Sequence, residues 1–96
     1  MFVAKTQESS KLYGKRGEQL YSIQDATIAC TYAMLACEAL DISSTWVGAF
    51  EDDKIKEILQ CEKEEIPVAI LPIGYTLSNK ISFTRRKDLN ELSIEI

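Results

Sequence analysis

Ser22 to Leu40 reads SIQDATIACTYAMLACEAL, and the reading of this stretch as one long helix decides the fold. Ser22 followed three residues later by Asp25 is a capping-box pattern, which predicts a helix start at Ser22. At 100° per residue, Gln24, Thr27, Thr31 and Glu38 fall in one narrow polar arc, with Asp25 apart from them in the first turn. Ala26, Ala29, Ala33, Ala36, Cys30 and Cys37 form a broad face of small residues, and Ile28, Tyr32 and Leu35 a bulkier face beside it. Small faces let another backbone approach closely.

A helix apolar over most of its circumference is buried on most sides, and fewer than eighty other residues are present to cover this one. About six apolar side chains left in water would each forfeit roughly 1.5–3 kcal/mol, a sum comparable to the ~5–15 kcal/mol that holds a domain together. A second copy of the chain, or a further segment, is therefore expected against the exposed side. A membrane span is the alternative, and it is opposed by an apolar run from Ala26 to Leu40 that falls short of the ~20 residues a bilayer needs and contains Glu38.

With 96 residues, 46% of them hydrophobic, the chain makes one domain, spanning residues 1–96. A net charge of −4 opposes a nucleic-acid or anionic-membrane surface, which needs clustered positive charge. Of the three cysteines, Cys30 and Cys37 lie on the central helix, about 10.5 Å apart along its axis, too far for a disulfide. Reduced, buried cysteines suit a cytoplasmic protein, and MFVAKTQ has neither the basic head nor the apolar run of a secretory signal. The chain has no histidine, so the usual zinc sites and Ser-His-Asp or Cys-His pairs are unavailable within it. No metal ligands or catalytic side chains of its own are expected: either a cofactor carries the chemistry, a partner chain supplies it, or there is none.

Along the chain, Phe2 to Lys5 is a strand candidate. Thr6 to Gln19, polar and punctuated by Gly14 and Gly17, reads as a solvated loop whose Lys11, Lys15 and Arg16 are minor candidates for a phosphate. Thr45, Trp46 and Val47 form a strand running into Gly48, which either serves a simple turn or brings backbone close to a ligand. Asp52 or Asp53 caps an amphipathic helix carrying Ile55, Ile58 and Leu59, which runs to about Gln60. IPVAILPI, Ile66 to Ile73, holds a central strand at Val68 to Leu71 covered on both faces. Arg85, Arg86 and Lys87 form a basic triplet that reads as a solvated turn or an anion site. LSIEI, Leu92 to Ile96, alternates as a strand with one buried face and is expected to pair outside its own chain. The sum is an α+β arrangement: a mixed sheet packed on a long central helix.

The order of these stretches resembles the C-terminal half of the nitroreductase family of FMN-dependent oxidoreductases. The residues that carry the resemblance are YSIQDATIACTYAMLACEALDISSTWVGAFEDDKIKEILQ from Tyr21 to Gln60, IPVAILPIGY from Ile66 to Tyr75, and TRRKDL from Thr84 to Leu89. The resemblance implies a dimer built around long central helices, with the C-terminal strand exchanged onto the other subunit. It implies that the backbone at Gly48 and Ala49 meets the flavin ring of FMN, that Trp46 and Val47 border the ring, and that Arg86, with Arg85 next, binds the phosphate. The implied activity passes a hydride from NAD(P)H through FMN to a nitroaromatic or quinone-type acceptor. Departures are Asp41, where a glycine usually follows the central helix, and Thr84, where some members have lysine. The family's N-terminal half, which grips the phosphate and covers one flavin side, has no counterpart here. The readings are therefore a flavin-dependent reductase or the C-terminal half of one completed by a separate N-terminal half, a non-catalytic dimeric scaffold, and a module binding flavin or another anion.

Overall fold

The computed structural model describes residues 1–77 and 84–96. Its elements in order are β1 (Phe2–Lys5), α1 (Thr6–Arg16), a π-helical turn (Gly17–Tyr21), α2 (Ser22–Ala39), β2 (Ser43–Ser44), α3 (Asp52–Leu59), β3 (Glu65–Ala69), β4 (Ile73–Gly74) and α4 (Leu89–Leu92). The long helix expected from Ser22 is α2, but the capping box is not formed. The chain is already helical at Tyr21 (φ −65°, ψ −40°), and Ser22 Oγ donates backwards to the Glu18 carbonyl at 2.9 Å. Thr27 and Thr31 do the same to Ile23 and Thr27, so these hydroxyls are satisfied by the preceding turn rather than by a cap.

The segment 6–19 is not a loop. It is α1 and most of the π-helical turn, with the two glycines serving the packing of helix on helix. Gly14 makes the bend at φ 56°, ψ −142°, a conformation open essentially to glycine alone. Gly17 then lies against α1: a Cβ there would sit 2.3 Å from the Ser9 carbonyl oxygen and 2.9 Å from Tyr13 Cβ. Thr6 ties the start of α1 to the hairpin side, its N–H and hydroxyl both donating to the Glu64 carbonyl, at 3.3 and 2.8 Å.

Asp41 adopts the left-handed conformation (φ 55°), the one a glycine commonly takes at a helix end. Ile42 N–H bonds the Cys37 carbonyl (2.9 Å) and Asp41 N–H the Glu38 carbonyl (3.2 Å), the pair of bonds that defines a Schellman cap. Gln60 (φ 54°) ends α3 in the same way, through Cys61 N–H to Lys56 O and Gln60 N–H to Glu57 O. The start of α3 differs from expectation: Glu51 is the N-cap residue, with Asp52 and Asp53 in the first turn, where they face the positive end of the helix dipole. Because a side chain in the left-handed region is strained, Asp41→Gly and Gln60→Gly are each expected to stabilise the fold by about 0.5–1 kcal/mol, read as a higher urea midpoint.

Every ladder among the described residues is antiparallel. β1 pairs with β3 in the register Val3↔Pro67, Ala4↔Ile66 and Lys5↔Glu65, with a bulge at Phe2/Val3. β2 pairs with β4 as Ser43↔Gly74 and Ser44↔Ile73, and Val47 bridges Ile70. The central strand candidate is thus shifted: Glu65–Ala69 forms β3 and Ile70 begins the second pairing. Ile66, Val68 and Ile70 are only half-buried, so the strand is not covered on both faces. Leu92–Ile96 is not a strand of this chain. Leu89–Leu92 is a single helical turn, and residues 93–96 join no ladder among the described residues.

α2 packs its Cys30 side over β1 and β3, and among the described residues the buried apolar side chains are few and small, Ala4, Cys30, Pro67 and Ala69. On the other side Ile28 (53% exposed), Tyr32 (69%) and Leu35 (60%) remain open, with Ala29 and Ala36 exposed beside them and Ala33 half-buried. The radius of gyration is 16.6 Å, against about 12–13 Å for a compact chain of this length. No helix among the described residues is long and apolar enough to cross a membrane.

Candidate cofactor site at the 46–49 turn

The segment after α2 runs antiparallel to residues 70–74, and one proline sets its hydrogen bonding. Val47 and Ile70 exchange both N–H···O bonds at 2.9 Å, and two residues back Thr45 N–H reaches the Pro72 carbonyl at 3.2 Å. Pro72 has no N–H to return, so the ladder is broken between β2/β4 and the Val47 bridge. Alternation along an extended strand turns the backbone groups of Thr45 and Val47 toward residues 70–74 and those of Ser44 and Trp46 toward the opposite edge. No described residue bonds the Trp46 N–H or carbonyl there, so this edge offers backbone donors and acceptors to a ligand or another strand.

Gly48 and Ala49 follow, both exposed, while Trp46 and Val47 are half-buried. The Trp46 indole leans over Gly48 closely enough that a Cβ at position 48 would lie 3.2 Å from Nε1. Glycine therefore lets the indole lie against the turn, and the only tryptophan of the chain reports directly on whatever meets the 46–49 backbone. The structure thus brings Trp46, Val47, Gly48 and Ala49 together on one turn. Arg85 and Arg86 belong to a separate segment and are both exposed, and the one hydrogen bond Arg86 makes among the described residues is a long one, 3.4 Å, to the Thr84 carbonyl. Neither arginine has an acidic partner among the described residues, which leaves both guanidinium groups available to an anion.

Two basic residues of the 6–19 segment, Lys11 and Arg16, are used locally. Lys11 donates to Glu8 at 2.6 Å and holds that carboxyl below its ordinary value. Arg16 Nε donates to Tyr21 Oη at 3.0 Å, and its guanidinium lies 5.5 Å from the Tyr21 ring centroid. Tyr13 meets the same ring edge-on at 5.3 Å. Reading the segment as a loop concealed this cluster, and the bend at Gly14 between Tyr13 and Arg16 leaves no helical spacing that would have shown it. Cys30 is fully enclosed, and loss of solvation pushes its thiol up, so it remains protonated and serves packing rather than nucleophilic chemistry.

Comparisons with known proteins bear on this geometry. The sequence model of the nitroreductase family matches residues 1–75, which includes the 46–49 turn and stops before Arg85 and Arg86. Among solved structures, the chain is similar to the crystal structure of the nitroreductase family protein from Streptococcus pneumoniae TIGR4, with a TM-score of 0.76 and 22% sequence identity over 92% of this chain. At that identity the likeness is one of fold. The chain spans 44% of the length of that protein. No curated protein matches. With residues 1–75 of its 96 on the family's sequence model and the matching fold around α2, the chain belongs to the nitroreductase family.

Proposed function

We propose that this chain forms the C-terminal half of an FMN-dependent oxidoreductase site of nitroreductase type, and that it does so as a homodimer. The observation that carries the reading is the 46–49 turn, where Gly48 lies bare beneath the Trp46 indole and the Trp46 backbone faces an edge without protein partners among the described residues. Gly48 and Ala49 would lie against the flavin ring, Trp46 and Val47 would border it, and Arg86 with Arg85 would take the phosphate. When bound, FMN supplies hydride exchange between NAD(P)H and a nitroaromatic or quinone-type acceptor; the protein's part is to orient the ring and balance its charge. The dimer is supported by the open Ile28, Tyr32 and Leu35 face of α2. Leu92, Ile94 and Ile96, between 65% and fully exposed, are the residues that would cross onto the second copy as a strand.

An FMN phosphate carries nearly two negative charges, and this chain offers it only Arg85 and Arg86. Missing two charge-assisted hydrogen bonds of about 1.5–3 kcal/mol each weakens binding by roughly two to four powers of ten. Titration with FMN, followed by quenching of Trp46, is expected to show weak binding that falls further in the Arg85→Ala/Arg86→Ala variant. Tight stoichiometric binding that survives the double change would overturn the phosphate assignment. No quenching at millimolar FMN would favour the second reading, a dimeric scaffold without cofactor.

A further inference from the structure

We draw no further inference here: the strongest candidate, the groove of about 620 Å³ between the π-helical turn, β3 and the end of α3, lined by Glu18, Lys56, Lys63 and Glu64 among others, carries two lysines and two carboxylates on an open surface, and nothing in the structure shows what covers it.

Discussion

Gly17→Ala is expected to unfold the α1 hairpin and to cost the chain about 3 kcal/mol or more, the upper end of what overpacking does. The added Cβ would stand 2.3 Å from the Ser9 carbonyl oxygen and 2.7 Å from its carbon. Both are backbone atoms, so no rotamer change relieves the clash, and the π-helical turn must lift from α1. Two other glycines calibrate the effect. At Gly14 a Cβ meets nothing within 4 Å but the positive φ remains, so Gly14→Ala costs roughly 1–3 kcal/mol in backbone strain. At Gly74 neither problem exists, and Gly74→Ala is close to neutral. Urea midpoints and far-ultraviolet circular dichroism of the three variants check the order; a Gly17→Ala chain as stable as Gly74→Ala would show that the helices are not packed at Ser9.

The same glycines explain why the N-terminal part of the fold was illegible in the sequence. Gly14 and Gly17 break a polar segment in which Leu12 and Tyr13 are exposed, so no apolar period marks a helix there; its residues are ordinary helix formers held by contacts that only the folded chain reveals. By contrast α2 was legible along its whole length, because its polar arc and apolar faces repeat at helical spacing over five turns. Its first residue, Ser22, was placed correctly but its cap was not, because a serine hydroxyl serves equally as a cap or as a bond to the preceding turn, and the choice depends on whether the chain before it is helical. Pairing was harder still. The alternation of LSIEI states which residues share a face and says nothing about which strand lies beside them, and within this chain none does among the described residues. At the site, the 46–49 turn was marked by residue types, but the free edge at Trp46 arises from strand alternation together with the lack of a described strand on that side, which no residue type announces.

Ala36→Arg is expected to abolish both the dimer and the folded state. Ala36 lies on the exposed side of α2 beside Tyr32 and Leu35, within any interface that covers this helix. A guanidinium buried there without a partner costs about 3–5 kcal/mol, a large share of the ~5–15 kcal/mol typical of a domain. The single chain has little with which to absorb that loss: Ala4, Cys30, Pro67 and Ala69 are its buried apolar side chains among those described, and its 16.6 Å radius of gyration is that of an open shape. On the proposed dimer, folding and association form one equilibrium, and the apparent stability of the parent is expected to rise with protein concentration. Glu38→Arg, on the polar arc of the same helix, introduces the same side chain outside the apolar face and is expected to leave the dimer intact. Light scattering and circular dichroism on the two variants decide the matter. A folded, monomeric Ala36→Arg chain would show that the core around Cys30 suffices by itself, and an unaffected dimer would place the interface elsewhere than on α2.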